Sequence, residues 1–377
     1  MNAFADTILR WYAINGRDLP WRRTRDPYAV WLSEIILQQT RIVQGTAYWQ
    51  RFLQRFPTVQ DLASASEDEV LRLWEGLGYY SRARNLHAAA RQIVALGAFP
   101  DTLEGIRSLK GVGDYTAAAI GSICFGIPAA VVDGNVYRVL ARHFGLETPV
   151  GTTAAKKEFT SLAQKLLPED EAAAFNQGMM DFGALQCTPV NPDCLTCTLQ
   201  ASCNAFRTGR VALLPVKKPA VKPVEQHFSY VYVRFDGQTA IRRRGPGDIW
   251  EGLWEPLVMP PAGPETGTPS AGAGGIGKNI FRDGTRKTIF PEAIANPTHA
   301  DGFPVMPGLT GHLLRQGVRH QLTHRTLLVD FYLWEPSARP ELPEGYRWIP
   351  EAELDRYAKP RLFELLLSAV ATSSSSD

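Results

Sequence analysis

Two carboxylates and four thiols are the groups in this sequence best placed to do chemistry. Glu34 stands in "WLSEIILQQT", with Val30, Trp31, Leu37 and Gln38 one helical turn away. A carboxyl among such neighbours is short of water, which raises its pKa and suits it to donate a proton near neutral pH. Asp133 follows the apolar run "IPAAVV" and opens "DGNVYR". It reads as the N-cap of a helix beginning Gly134-Asn135-Val136, or as a partly desolvated carboxylate that stabilises a developing cation. Cys187, Cys194, Cys197 and Cys203 fall within 17 residues in the pattern C-x6-C-x2-C-x5-C, and Pro189 and Pro192 stiffen the first loop. Thiolates this close suit tetrahedral zinc or a cubane iron–sulfur cluster, and spacing alone leaves both open. Cys124 stands apart in an apolar helix and reads as a core thiol.

The elements that must hold these groups are helical up to about residue 205. Asp26 and Pro27 start one helix as N-cap and first helical residue, Ser66 starts another, and a third runs from Ser81 to Gly97. Between two further helical stretches lies "LKGVGDYTAAAI", Leu109–Ile120. Gly111 and Gly113 permit a tight turn whose backbone amides, at the start of a helix, can grip an anion such as a DNA phosphate. Beyond "PVKKPAVKP" the pattern changes to period-2 strands with an Asp236-Gly237 turn, further strands, and a closing helix in "KPRLFELLLSAV". A Gly/Pro/Thr-rich stretch near residues 260–280 reads as an insertion. The expected organisation is a helical domain over 1–207, with its cysteine loop at 187–203, and a linker over 208–226. A mixed α/β domain follows over 227–370, and then a disordered tail over 371–377.

Composition narrows the classes. Charged residues make up 21% and the formal net charge is +2, so any surface for nucleic acid is local rather than global. No apolar run approaches membrane-spanning length and no signal peptide is evident at the N-terminus, so a cytoplasmic protein with reduced thiols is expected. A monomer is expected.

These motifs together resemble the helix-hairpin-helix DNA glycosylases of the endonuclease III and MutY family, and the likeness to MutY covers essentially the whole chain. The resemblance implies an all-α helix-hairpin-helix core with a 4Fe–4S cluster on the four cysteines, followed by an α/β MutT (Nudix)-like domain. It implies removal of adenine from A:8-oxoguanine, or A:G, in double-stranded DNA. By resemblance Glu34 is the acid, Asp133 the stabiliser or nucleophile, and Tyr115 and Asn135 support them. Leu19, Trp21, Arg22 and Gln177 line the adenine pocket, and Gly111 and Gly113 hold a phosphate. Tyr79 wedges beside the partner base and Gln39 enters the vacated stack. Thr323 and His324, in "QLTHR", read 8-oxoguanine; Leu322 replaces the family's phenylalanine there. Arg207 and Arg210, after the cysteines, face DNA. The second domain lacks the glutamate cluster of Nudix hydrolases, so pyrophosphate hydrolysis is not expected.

Tyr115 bears on the type of reaction. Strand-cutting relatives carry a lysine in that slot, whose amine attacks the sugar. A phenol cannot do this, and the only lysine nearby in sequence, Lys110, lies on the other side of the hairpin. The alternatives are an endonuclease III-like glycosylase with lyase activity and a non-catalytic iron–sulfur DNA-binding protein.

Overall fold

The computed structural model describes residues 2–218, 223–259 and 311–373. The insertion expected near 260–280 and the last four residues of the expected tail lie outside them. The chain divides into two compact units, one of residues 1–65 and 81–220, the other of residues 66–80 and 221–377.

Within the first unit the helices are α1 (Ala3–Asn15), α2 (Pro27–Leu37), α3 (Ile42–Arg55), α4 (Val59–Ser64), α6 (Ser81–Leu96), α7 (Leu103–Ser108), α8 (Asp114–Phe125), α9 (Gly134–Phe144), α10 (Thr153–Leu166), α11 (Ala172–Leu185) and the short α12 (Asn204–Arg207). The expected starts are met: the Asp26 carboxylate caps α2 at the amides of Tyr28 and Ala29, and Pro27 occupies the first turn. α2 and α8 are apolar on every side. Tyr28–Ser33, Ile35 and Ile36 are buried in the first, and Thr116–Ser122 in the second. Such helices are stable only when surrounded, and these two pack on each other. α9 is amphipathic instead, and its Val136, Val139 and Leu140 join Ile8, Phe159, Phe175 and Phe182 in the core.

α7 and α8 form the helical hairpin. Gly111 adopts φ 77°, and a Cβ there would meet Asn85 Cβ at 2.6 Å, so both torsion and space require glycine. Gly113 is the N-cap of α8 and offers no side chain to the first amides of the helix.

The second unit contains α5 (Glu67–Trp74), capped by Ser66 as expected, and, among the described residues, a mixed sheet of seven strands. Its strands are β1 (Val224–Phe235), β2 (Gln238–Arg243), β3 (Trp254–Glu255), β4 (Leu257–Met259), β5 (Gly311–Gln321), β6 (Arg325–Trp334) and β7 (Tyr346–Pro350). The order is β3-β2-β1-β6-β5, with β4 also on β1 and β7 on β2. β1 pairs parallel with β6 and antiparallel with β2 and β4, which buries Phe228–Val233 on both faces. The β1–β2 turn falls at Asp236-Gly237, both left-handed (φ 48° and 67°), as expected of a two-residue hairpin. α13 (Arg361–Ser373) packs on β1, β5 and β6 and continues three residues into the stretch expected to be a disordered tail.

Candidate active site

A cavity of about 770 Å³ opens in the first unit, within the range that encloses a small ligand. Glu34, Tyr115, Asp133, Asn135, Leu19, Trp21, Arg22, Gln39, Gly113 and Gln177 all line it, although they come from five separate stretches of chain. Gly111 is not among the lining residues, and Tyr79, Thr323 and His324 belong to the second unit.

The two acids enter the cavity differently. Glu34 projects from the middle of α2, where the backbone amides are committed to the helix. Burial pushes its carboxyl up to about 7; a hydrogen bond from Tyr115 and the charge of Arg22 hold the rise back, while Asp133 adds to it. Asp133 is the N-cap of α9. Its Oδ1 accepts from the amides of Asn135 (2.9 Å) and Val136 (2.8 Å), and its Oδ2 from Asn135 Nδ2 at 2.7 Å. Burial raises its pKa as well, and these three bonds and Arg138 oppose the rise. The cap and the cavity carboxylate are thus one residue, and the two readings of Asp133 do not compete. Tyr115 contacts Met180 Sδ at 3.5 Å, and burial together with both carboxylates drives its phenol well above the ordinary value.

Two arginines of the wall are held by a buried aspartate that the sequence did not disclose. Asp181, on α11, is fully buried. It accepts from Arg22 at 2.7 and 2.9 Å and from Arg17 at 2.8 and 2.5 Å. Asp181 fixes both guanidinium groups, and Arg22 is the one that lies near Glu34. Tyr12 Oη donates to Gln177 Oε1 at 2.7 Å, which leaves the Gln177 amide hydrogens available to a ligand. Gln39, just past the Gln38 C-cap of α2, is in the left-handed region (φ 59°), and Arg82 Nη1 donates to the carbonyls of Ile35, Ile36 and Gln38 at that helix end. Lys156 also lines the cavity, although sequence separation gave no sign of it. Its Nζ lies 2.6 Å from Asp114, which pairs with Arg107 as well. The expectation that no lysine other than Lys110 comes near is thereby corrected: α10 carries one in from 41 residues downstream of Tyr115.

α9 also reaches the cysteine loop. Arg138 donates to Asn135 Oδ1 (2.9 Å) and to the carbonyls of Gly183 (2.6 Å) and Cys187 (2.7 Å). Arg142 donates to Cys187 Sγ at 3.4 Å and to the carbonyls of Thr188, Pro189, Val211 and Leu214. Among the described residues no group of three or more His, Cys, Asp or Glu side chains is drawn together closely enough to hold a metal ion. The four thiols nevertheless feel one another: burial pushes Cys197 up to about 11, and Cys187, Cys203 and Cys194 add to the rise. Four thiols crowded into one loop are the donor chemistry that a metal centre satisfies. Arg210 pairs with Glu147 at 2.5 Å, whereas Arg207 is exposed. Cys124 is only partly buried, less so than a core thiol was expected to be.

In the second unit, Leu322, Thr323 and His324 form the turn between β5 and β6, with Thr323 and His324 exposed. Thr323 Oγ1 lies 2.5 Å from Tyr79 Oη. Tyr79 is itself left-handed (φ 48°) and 49% exposed, an unusual state for a large aromatic residue.

A helical hairpin beside a cavity with two carboxylates, followed by a separate mixed sheet, defines a two-domain base-excision protein. Residues 32–169 match the family described as HhH-GPD superfamily base excision DNA repair protein, and residues 229–369 match the NUDIX domain. The chain is 36% identical over 254 residues to the adenine DNA glycosylase of Buchnera aphidicola subsp. Schizaphis graminum, covering 67% of this chain and 73% of that protein. It belongs to the adenine DNA glycosylase family. Identity to the human adenine DNA glycosylase is 44% over 216 residues, 54% of this chain and 40% of that protein, so the match spans less than half the length of the human relative. A solved structure described as a thermostable thymine-DNA glycosylase superposes with a TM-score of 0.50 at 32% identity, over 54% of this chain and 95% of that one. Among the described residues no helix is long and apolar enough to cross a membrane.

Proposed function

We propose that the protein removes adenine from A:8-oxoguanine, and from A:G, in double-stranded DNA by hydrolysing the N-glycosidic bond. The observation that carries this reading is the meeting of Glu34 and Asp133 in one cavity with their proton affinities set by different surroundings. The target adenosine leaves the base stack and enters the cavity, because the bond to be broken is out of reach inside a duplex. Trp21 offers a ring face, and Gln177, with its oxygen engaged by Tyr12, offers N–H donors to ring nitrogens. Protonated Glu34 gives its proton to adenine N7, the C1′–N9 bond breaks, and the pair of electrons leaves with the base. The Asp133 carboxylate stabilises the cationic sugar or bonds to it transiently, and water completes the abasic product. The hairpin at Gly111 and Gly113 holds a phosphate through backbone amides. Tyr79 and Thr323 meet the partner base, where the threonine hydroxyl bonds the oxidised purine.

Cys187, Cys194, Cys197 and Cys203 would hold a 4Fe–4S cluster, which when bound gives the loop a fixed shape. Arg138 and Arg142 then carry that shape into α9 through their carbonyl bonds, and Arg138 reaches Asn135. Visible absorption and iron analysis of the purified protein distinguish this from zinc.

Single-turnover adenine release from an A:8-oxoguanine duplex tests the reaction. Glu34→Gln should nearly abolish release while duplex binding persists; undiminished release would refute the acid. Lys156 favours a second reading, strand cleavage through an imine, because it brings an amine to the cavity. Its ammonium is paired with Asp114, so the expectation is no borohydride-trapped adduct with adenine-containing duplex. Abundant trapping that disappears in Lys156→Gln would establish the lyase reading instead.

A further inference from the structure

Residues 66–80 precede most of the helical domain in sequence, yet they cluster with the strands of the second unit. The loop after α5 is tight: Gly76, Gly78 and Tyr79 all have positive φ (93°, 70° and 48°). Trp74, fully buried, closes it from within by donating its Nε1 hydrogen to the Gly78 carbonyl at 3.0 Å. A tyrosine held left-handed costs conformational energy, so the surrounding bonds must impose it.

Two of those bonds meet at one residue of the far C-terminal segment. The backbone N–H of Lys359 donates to Glu75 Oε1 at 3.1 Å, and the Lys359 carbonyl accepts from Tyr80 Oη at 3.4 Å. Glu75 and Tyr80 bracket the loop that carries Tyr79. Lys359 is itself buried, at 5% exposure. Its ammonium donates to the carbonyls of Leu354 (2.8 Å) and Tyr357 (3.0 Å), which fixes the bend before α13. A buried ammonium is costly unless its donors are satisfied, and here two backbone carbonyls accept from it, with the Asp355 carboxylate 3.8 Å away. At the loop tip, Tyr79 meets Thr323.

We propose that Lys359 is a positioning residue for Tyr79: its main chain clasps both ends of the loop Glu75–Tyr80 and thereby sets how Tyr79 and Thr323 together meet the partner base. This rests on the reading of Tyr79 as the residue beside that base. Lys359 acts through Glu75 and Tyr80 and touches no substrate. The side chain is required because only a long cation reaches both carbonyls of the preceding bend; methionine fills the same space without the donors.

The test uses the full chain and two readouts. Single-turnover adenine release is measured on A:8-oxoguanine and A:G duplexes, and amide hydrogen exchange is followed over residues 76–80. Lys359→Met and Glu75→Ala should each lower the A:8-oxoguanine to A:G rate ratio about fivefold to tenfold, the size of one ordinary net hydrogen bond. Both should speed exchange of the loop amides. Glu75→Gln keeps an oxygen for the Lys359 amide and should restore both. A merely structural role would slow both substrates alike and leave the ratio where it was; that result, from folded variants, overturns the proposal. Should Lys359→Met fail to fold, Glu75→Ala decides, since it leaves the buried ammonium in place. Unchanged exchange in Glu75→Ala overturns the clasp whatever the rates are. A wild-type protein that ignores the partner base, with faster loop exchange in the variants, would instead sink the reading of Tyr79 and leave the clasp standing.

Discussion

Glu34 and Asp133 are carboxyls on the wall of one cavity, and burial raises both, yet their surroundings could hardly differ more. Glu34 leaves α2 at mid-helix, where the helix commits the nearby amides, and its donor is a side-chain hydroxyl, that of Tyr115. Asp133 sits where α9 begins, and free amides of the first turn converge on it. A helix interior starves an acid of donors; a helix N-terminus supplies them and adds the favourable end of the dipole. One fold therefore makes a proton donor and an anion from nearly the same side chain, by choice of position along a helix. Pairs of acids pushed apart in this way are a general mark of acid–base division of labour.

The largest effect that can break this comparison comes from Asp133→Asn. Asparagine caps a helix about as well as aspartate, so α9 should survive and the melting temperature should move little. The negative charge disappears, and adenine release should fall about a thousandfold, the scale of a lost electrostatic stabiliser. Differential scanning fluorimetry and single-turnover kinetics measure the two together. A modest rate loss with an unaltered melting point would reduce Asp133 to the cap alone.

Next in size is the pH profile. A donor with a pKa of about 7 is protonated below that value and loses its proton above it. Single-turnover rates should therefore fall above neutrality, by about tenfold per pH unit on the far limb. The acid limb belongs to Asp133, whose raised pKa brings it in at higher pH than an ordinary aspartate would show. A profile flat from pH 6 to about 9 would remove Glu34 from the proton transfer.

The comparison also shows where sequence reading succeeds. Glu34 was legible because its apolar neighbours surround it on every side of α2, and a helix of that pattern has no solvent face. Asp133 was legible as a cap from Gly-Asn-Val after it. The Asp236-Gly237 turn follows from torsional preference alone. Partners far apart in the chain were not legible. Asp181 meets Arg22 across 159 residues, Tyr12 meets Gln177 across 165, and Lys156 meets Asp114 across 42. Periodicity says which face of a helix is buried; it does not say what lies against that face. The parallel pairing of β1 with β6, and the attachment of residues 66–80 to the second unit, escape for the same reason.

A third test moves from rate to stability. The folded pKa of Glu34 lies above its ordinary 4.5, near 7. Its contribution is fully present below the unfolded value and is lost as pH rises through the folded one. At pH 8 the wild type should thus bear a burden of about 3 kcal/mol at most, from about 2.5 units at 1.36 kcal/mol each. Glu34→Gln cannot ionise. Its urea midpoint should exceed that of the wild type at pH 8, and the gap should close as pH falls toward 4.5. An inactive variant that is also more stable is the expected signature of a strained catalytic acid. A less stable Glu34→Gln at pH 8 would mean that the carboxylate is well solvated or paired.

The smallest effect separates Tyr115 as a tuner from Tyr115 as a packing residue. Its hydroxyl bonds the Glu34 carboxylate and so lowers the pKa of that acid, against burial and Asp133, which raise it. Tyr115→Phe keeps the ring and removes the bond. The ionised form of Glu34 loses a donor, its pKa rises further, and the alkaline limb of the rate profile should move to higher pH by roughly a few tenths of a unit. The plateau rate below that limb should change much less, because the protonated acid never needed the bond. Packing alone would give the opposite outcome, a lower plateau with the limb unmoved, and a shift to lower pH would contradict the direction of the hydrogen bond itself.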